Sequence, residues 1–449
     1  MIKGIAQEWF GTSVLRGLVR PRAAQCEKTG VGSYEQAVRT LLISPRVQAI
    51  AGIVGASGLQ ILLLAILSLL LARVLTIEDF GITRIVTAYM VVLTMFGHVC
   101  MHDAVSSFVA RAATMEEKSE YVTAGSKLVV ISSSIVVAAF QIIVFSGPWW
   151  TGRLQSALAA VALLLPVLSL TLVYTAVLQS IGSHKRLGVA VLLGGVIPLV
   201  CILPFSSVWS LTGWIVGRGL SYLLLLFVGV FLVREFLRVV RVSSAVYARL
   251  RAFARVQIVS GILSMCMQSA DILILERFGA SLSEVAMYGL AALFARSILF
   301  VPGALGRVYF RELAEGAMGR AYEKPAIRLL SVVSAVSIIL SVLIAVCVPL
   351  LVERFYGVEY LGSVPILRVM CVGIAFNGLW SALSTINTAI NKPSFAVAMS
   401  VGGVCTSIAF LVMLIPTYGS IGAAWAMNAA YAAGTAIGLW LLYSKEEHS

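Results

Sequence analysis

The chain has 449 residues, of which 60% are hydrophobic and only 12% charged, and its mean hydropathy is +0.98. An average soluble domain carries roughly a quarter charged residues and about half apolar ones, so this composition excludes a water-soluble fold and predicts a polytopic membrane protein. The net charge of +13 lies in short basic clusters between long apolar runs, which fits membrane orientation and argues against nucleic-acid binding.

Residues 1–45 precede the apolar runs and resemble an amphipathic segment lying on the cytoplasmic leaflet. Apolar residues from Ile2 to Val19 fall near helical spacing, with Lys and Arg residues between them. A disordered tail and a start codon placed too early are the alternatives. A secretory signal peptide is not predicted, since the segment lacks an apolar core followed by a small-residue cleavage site.

Twelve apolar runs follow, each long enough to cross about 30 Å of hydrocarbon as a helix that rises 1.5 Å per residue. The chain is therefore predicted to be an all-α integral membrane protein. The weakest boundary lies around Pro204 and Trp209, where two runs are separated by very few polar residues. The predicted spans are 47–71, 82–101, 122–145, 156–180, 187–207, 210–233, 256–275, 285–309, 327–351, 364–389, 394–416 and 420–443.

The distribution of basic residues predicts that both termini, including a tail at 444–449, are cytoplasmic. With that orientation, 25 Lys and Arg residues fall in inside segments and six in outside segments, one of which is Arg84. This imbalance is the one that the positive-inside rule describes. It also supports the count of twelve, because one miscounted helix would scramble the alternation.

The chain divides into two halves with similar sequence features, which indicates an internal repeat. An Arg-rich cytoplasmic linker at 234–255 separates a six-helix bundle at 46–233 from a second at 256–443. The first outside turn of each half has an Arg near a helix end, Arg73 and Arg277, and then an acidic residue before the next helix. Such a repeat is typical of alternating-access transporters, whose substrate site lies between the halves.

The chain lacks the features of a membrane enzyme or a nucleotide-driven pump. Its predicted outside loops are short, and it has neither a GxxxxGK[ST] motif nor a Ser/His/Asp or Cys/His set in a suitable context. We therefore expect a transporter with no catalytic residues, no metal and no bound cofactor. An ion gradient of H+ or Na+, the membrane potential or consumption of the substrate on the far side would drive it.

An ordered set of motifs resembles the polysaccharide-exporter family of the multidrug, oligosaccharidyl-lipid and polysaccharide exporter superfamily. The motifs are individually loose, but their order along residues 44–443 matches that family. They are Leu71–Gly81, Ala270–Leu275, Met287–Ala291, Phe355–Tyr360, Asn391–Pro393 and Tyr418–Ala424.

This resemblance implies a MATE-like, V-shaped fold of two pseudo-symmetric six-helix bundles in the bacterial cytoplasmic (inner) membrane. It further implies a flippase that moves an undecaprenyl-pyrophosphate-linked oligosaccharide repeat unit to the outer leaflet for O-antigen, capsule or exopolysaccharide synthesis. The partners it implies are the lipid-linked glycan and membrane lipids, with a polysaccharide polymerase and a chain-length regulator as further candidates.

Arg296 is the leading candidate for substrate binding. It lies eleven residues into the predicted eighth span, about 17 Å from its outer end and hence near the bilayer midplane. An Arg at this depth is costly to insert, which favours a functional role, and its planar fork suits a phosphate. The alternative is a structural Arg that bonds carbonyls or an acidic partner between helices.

Arg218 and Asp271 lie at similar depth in their predicted spans, and we predict that they form an ion pair between the bundles. The alternative leaves Arg218 reaching to the outer headgroups and Asp271 bonded to a neighbouring Ser or Gln. Gln268, three residues before Asp271 on the same helix face, suits a sugar hydroxyl or a coupling cation. Asn377, in the tenth span, would bind sugar or hold helices together.

His98 and His102 are spaced i,i+4 on the predicted second helix, with Asp103 beside them. Because no fourth ligand is evident, interfacial packing is favoured over a proton relay or a metal site. Trp149, Trp150 and Trp209 lie near outer helix ends, where anchoring in the aromatic belt explains them.

Two other functions remain open at this stage. A cation-coupled multidrug exporter of the same superfamily would require an acidic residue deep in a helix, which only Asp271 partly supplies. A membrane glycan polymerase would require outer loops and a catalytic set that the sequence lacks.

Overall fold

A computed structural model describes residues 45–444 apart from 151, 182, 239, 298–300, 304, 307–308, 310–312, 314–322 and 391. The proposed amphipathic segment therefore lies outside the described residues, except for Pro45. Within this part the chain is helical, and no strand occurs. The helices are α1 Pro45–Val74, α2 Ile77–His98, α3 Met101–Arg111, α4 Met115–Ser146, α5 Gly152–Ala162, α6 Leu165–Ser180, α7 His184–Val233, α8 Ser244–Arg277, α9 Leu282–Ser297, α10 Glu323–Tyr356, α11 Ser363–Ala389 and α12 Pro393–Tyr443, with 3-10 turns at Arg234–Phe236 and Val358–Tyr360.

The long helix α7 is a hairpin that folds back at Ser210, whose backbone is left-handed (φ 48°, ψ −126°). Beyond this turn, Gly213 and Gly217 lie so close to the first limb that a Cβ atom at either would meet the carbonyl of Phe205 or Cys201. Only a residue without a side chain permits this approach. The predicted boundary between the fifth and sixth spans is confirmed as a tight turn.

Helix α12 folds back in the same way at Gly419 (φ 53°, ψ −133°). Gly422 packs against the backbone of Leu414, and Gly403 packs near the carbonyl of Ala430 on the opposite limb. The turns of the two hairpins thus share one unusual backbone conformation at corresponding places in the two halves. This agreement supports the internal repeat that the sequence predicts.

Nine helices of the described part are long and apolar enough to cross a membrane, and the bent pair α5 and α6, at 44°, makes a tenth candidate. Because α7 and α12 each supply two limbs, these ten contain twelve candidate crossings. Large apolar side chains such as Phe145, Phe227 and Met413 are mostly exposed on the helix surfaces. Exposed apolar surface of this extent requires a lipid environment. The number of crossings in a bilayer stays a prediction.

Polar side chains cap the starts of several helices, among them α2 and α8. The hydroxyl of Thr76 accepts a hydrogen bond from the backbone N–H of Asp79 (3.2 Å) at the start of α2. The hydroxyl of Ser243 likewise accepts from Val246 N–H (3.4 Å), so α8 begins at Ser244. The second half of the predicted linker at 234–255 is therefore helical and continuous with the predicted seventh span.

The packing of the core gives the molecule a V shape in its described part. We call the end near Thr76, which the charge pattern predicts to be extracytoplasmic, the outer end, and the opposite end the inner end. One buried core at the outer end joins both halves, with members such as Phe80, Trp214, Leu275 and Tyr288.

At the inner end the described residues form two separate cores. One belongs to the first half together with the start of α8 and includes Val109, Tyr121 and Leu250. The other belongs to the second half and includes Leu329 and Leu383. Among the described residues, the bundles therefore share one core at the outer end and have separate cores at the inner end.

Candidate functional site

Two adjoining cavities lie between the bundles. The larger has a volume of about 580 Å³ and is lined by α2, α3, α6 and α7 of the first half and by α8. The second, of about 380 Å³, is lined by α1 and α2 on one side and by α8 and α9 on the other. Thr87, Val91 and Gln268 line both. Drug-sized ligands occupy pockets of about 300–1,000 Å³, so the two cavities together offer space near the upper end of this range.

Helices α2 and α9 are the central helices of the site. About 60% of each apolar stretch is buried, against 17–33% for α1, α4, α7, α8, α10 and α12. Close packing between them depends on glycine, because a Cβ atom at Gly81 would collide with the backbone of Leu282 and one at Gly289 with the side chain of Arg84. Charged residues on these two helices therefore face protein or the cavity.

Arg296 lies near the end of α9, about 21 Å along the helix from Leu282. Its guanidinium forms a 2.5 Å ion pair with Asp271 of α8 and donates to the carbonyl of Gln268 (2.9 Å). The hydroxyl of Tyr288 donates to the same Asp271 carboxylate (2.8 Å), which is only 1% exposed. Arg296 therefore lines the cavity, but it also makes the contacts of the structural alternative, with a carbonyl and an acidic partner on the neighbouring helix, so its charge is already neutralised within the second half.

The predicted ion pair between Arg218 and Asp271 is wrong. Arg218 instead donates from Nε to the hydroxyl of Tyr222 (2.9 Å) and lies over the rings of Trp214 and Tyr222 at 5.4 and 5.3 Å. Asp271 prefers Arg296 because both belong to neighbouring helices of one half, whereas Arg218 is held on the second limb of α7. Arg218 lines the larger cavity.

Arg84 is the site residue that the sequence reasoning missed. The charge count assigned it to an outside loop, but α2 begins at Ile77, which places Arg84 in the second turn of the helix. It lines the second cavity, with its guanidinium 4.3 Å from the centre of the Phe80 ring. Its Nε atom is buried without a hydrogen-bond partner. The signal available in the sequence was its position inside the predicted second span.

Gln268 and Asn377 lie on either side of Arg296. Gln268 is exposed where both large cavities meet, and its amide nitrogen is 3.0 Å from the hydroxyl of Ser264. Asn377 lines a smaller cavity of about 40 Å³ within the second half, together with Arg296, Asp271 and Tyr431. The five predicted site residues are thus distributed over three neighbouring cavities.

The histidines require two corrections. His98 ends α2 and His102 belongs to α3, because Val99 and Cys100 between them are left-handed (φ 45° and 53°) and break the helix. The prediction of one continuous helix is therefore wrong. Both histidines and Asp103 also line the larger cavity, so their role is not limited to packing at the membrane interface.

Contacts between the halves close the outer end of the cavities. The hydroxyl of Tyr89 donates to the carboxylate of Glu276 (3.3 Å), and the Arg277 guanidinium lies 3.9 Å from the centre of the Trp149 ring. Trp150, predicted as a membrane anchor, is 8% exposed and packs edge-on against Tyr89 at 5.3 Å. The site is therefore enclosed at the outer end by polar and aromatic contacts.

Comparisons with known proteins agree with this architecture. A family profile described as polysaccharide biosynthesis protein matches residues 70–365. No curated protein matches the chain in sequence.

Solved structures share the fold at low sequence identity. The lipid II flippase MurJ in an inward closed conformation is 15% identical with a TM-score of 0.70, covering 86% of each chain. An inward-facing multidrug resistance MATE family transporter of the MOP superfamily is 16% identical with a TM-score of 0.68, covering 87% of this chain and 96% of that one. An outward-facing MATE transporter is 15% identical with a TM-score of 0.63, covering 91% of this chain and 98% of that one.

Proposed function

The chain belongs to the polysaccharide biosynthesis protein family and has the fold of MOP-superfamily exporters, and we propose that it is a flippase for lipid-linked oligosaccharides. Its substrate is an undecaprenyl-pyrophosphate-linked repeat unit, carried across the bacterial cytoplasmic membrane by alternating access. The product feeds the synthesis of a surface polysaccharide such as O-antigen, capsule or exopolysaccharide. Both termini are cytoplasmic in this proposal, so the inner end faces the compartment where the lipid-linked unit is assembled.

The observation that carries the proposal is that two arginines face the cavities without a carboxylate partner. Arg84 and Arg218 form no ion pair with any of the residues that the structure describes, and Arg84 keeps an unbonded buried Nε. A guanidinium held in a membrane interior without a counter-ion is costly. An anionic ligand removes that cost, and a diphosphate offers the oxygen atoms that the planar guanidinium fork binds well.

The second cavity combines an apolar wall with basic residues, and a lipid diphosphate requires both. Its α1 wall carries Ile61, Leu64 and Ala65, whereas Arg84 and Arg296 supply its basic part. A polyprenyl chain can leave the site along this apolar wall while the diphosphate stays near the guanidiniums. The amides of Gln268 and Asn377 and the ring of Tyr222 in the adjoining space supply hydrogen bonds and a stacking face for sugars.

The V shape indicates the end of the molecule from which the headgroup enters. With the outer core shared and the inner cores separate, the headgroup is admitted from the inner end. Release on the other side requires the outer contacts, including those of Tyr89 with Glu276 and Arg277 with Trp149, to break while the inner ends approach.

The test uses purified protein in liposomes that contain a fluorescent polyprenyl-diphosphate disaccharide. A membrane-impermeant glycan oxidase added outside modifies only the disaccharide that has reached the outer leaflet. We expect Arg84→Gln and Arg218→Gln each to slow flipping by about ten- to a hundredfold, since a charge-assisted hydrogen bond contributes about 1.5–3 kcal/mol. Arg241→Gln, at an exposed position of the linker, is the matched control and should flip at the wild-type rate.

Wild-type flipping by both cavity variants would overturn the assignment of the diphosphate site. Transport of a small cationic dye by the same vesicles, without flipping of the lipid, would instead support the cation-coupled exporter. The cation-coupled exporter would require the Asp271 carboxylate to bind a cation, whereas this carboxylate is already bound by Arg296 and Tyr288.

A further inference from the structure

The helix break at Val99 and Cys100 brings two histidines into contact at the wall of the larger cavity. The ring centres of His98 and His102 are 4.5 Å apart and their planes are inclined by 71°. His98 is 6% exposed, and the side chain of His102 is 33% exposed. Nothing in the proposed recognition of the diphosphate or the sugars uses this pair.

The hydrogen bonds of the two rings leave room for one proton. The backbone N–H of Cys100 donates to Nδ1 of His98 (3.0 Å), so this nitrogen carries a lone pair and the ring's own proton is on Nε2. His102 Nε2 is 3.4 Å from a carboxylate oxygen of Asp103. Its Nδ1 is buried without a hydrogen-bond partner.

A first added proton therefore binds to Nδ1 of His102. A second proton would have to displace the Cys100 N–H from His98 and place two imidazolium ions in ring contact, where their charges repel strongly. The pair is thus a site for one proton and not for two.

The surroundings of the pair supply charge and access. The cavity beside it is large enough to hold water, which lets protons exchange. The titratable and polar groups that line the same cavity are Cys100 and Asp103 at the break and on α3, Thr94 on α2, Arg218 and Tyr222 on α7, and Gln257, Ser264 and Gln268 on α8, with the apolar Leu168 and Leu172 on α6.

The same break is a contact between the two halves. The Cys100 thiol donates to the carbonyl of Gln257 on α8 (3.6 Å). Gly261, one turn further along α8, packs so closely that a Cβ atom there would overlap the side chain of Met95. A charge gained at His102 therefore appears where the first half must move against α8 during rocking of the bundles.

We propose that the His98–His102 pair binds one exchangeable proton and that this proton is the coupling ion of the transporter. The coupling role rests on the proposed flippase function, whereas the one-proton site does not. Proton binding adds one positive charge next to the Cys100 contact with α8, so the protonation state biases the arrangement of the two bundles. This mechanism takes H+ in preference to Na+, because the acceptor is a nitrogen lone pair.

The first experiment counts protons without using transport. Purified wild-type protein in detergent is titrated between pH 5 and pH 8 against His98→Gln/His102→Gln, with Ser264→Ala, which changes the lining of the same cavity but removes no titratable group, as the control. We expect the double variant to take up one proton fewer than the wild type. A loss of two protons, or of none, overturns the one-proton site. Because His98 is buried, His102→Gln alone is the second variant and should show the same loss of one proton.

The second experiment tests coupling in the flippase vesicles. A pH gradient across the membrane should change the wild-type flipping rate several-fold, whereas the ratio of rates with and without the gradient should fall to about one in His102→Gln. A retained response in this variant overturns the coupling role. If the wild type does not flip the lipid at all, the proposed function fails, and the proton count still decides whether the site exists.

Discussion

Arg296 and Asp271 form an ion pair in which the two side chains are unequally exposed. We therefore expect their substitutions to have unequal effects on stability. The Asp271 side chain is 1% exposed, while that of Arg296 is 39% exposed to the cavity. In Arg296→Gln the buried carboxylate loses its counter-ion and keeps only the Tyr288 hydroxyl and its own backbone N–H partner at Ile272. Removing one partner of a buried ion pair costs about 3–5 kcal/mol.

We expect Arg296→Gln to fall near the lower bound, about 3 kcal/mol, because water in the cavity already solvates part of the pair. Asp271→Asn should cost less, about 1–2 kcal/mol, since the guanidinium left behind remains in contact with the cavity and with the carbonyl of Gln268. The double variant should be more stable than Arg296→Gln alone, because it contains no buried charge.

The assay is thermal unfolding of the purified variants in detergent, followed by flipping in vesicles for those that fold. Equal destabilisation by the two single substitutions, or a double variant less stable than Arg296→Gln, would refute the reasoning from burial. The double variant also separates roles: if it folds but does not flip, the Arg296 guanidinium acts on substrate, and if it flips normally, the pair is structural.

Three further predictions follow from the backbone turns and the outer contacts. Ser210→Gly should raise the unfolding temperature, because φ 48° and ψ −126° suit glycine and relieve about 1 kcal/mol or more of strain. Gly419→Ala should lower it, since a side chain is strained at φ 53°. Tyr89→Phe removes the hydrogen bond to Glu276 and should favour opening of the outer end, measured as faster labelling of a cysteine at position 268 by an impermeant thiol reagent added outside.

The architecture could be predicted because hydropathy and charge act over whole segments. Runs of apolar residues located most helices, and the sparse polar residues near Trp209 marked the hairpin turn of α7. The start of α8 was predicted as part of a linker because its many basic residues outweighed the helical spacing of the apolar residues Val246, Leu250 and Ala254. These three are buried in the inner core of the first half.

The site could be predicted only in part because depth in a span does not determine which partner a charge meets. Arg218 and Asp271 have similar depths, but the folding of the α7 hairpin separates them. Asp271 forms its ion pair with Arg296 instead. Arg84 was missed for a different reason, since it lies near the outer end of the predicted span and was counted with the outside charges, whereas the Thr76 cap begins α2 five residues earlier and places Arg84 deeper in the helix. Pairing and caps are tertiary and local features that hydropathy does not contain.

The most direct test of the central claim is the leaflet distribution of the lipid-linked oligosaccharide in cells, with the protein present and depleted. An impermeant glycan-modifying probe reports the fraction that has reached the outer face. We expect depletion to trap the glycan on the cytoplasmic side. An unchanged accessible fraction would contradict it, and single repeat units accumulating at the surface would identify a polymerase instead.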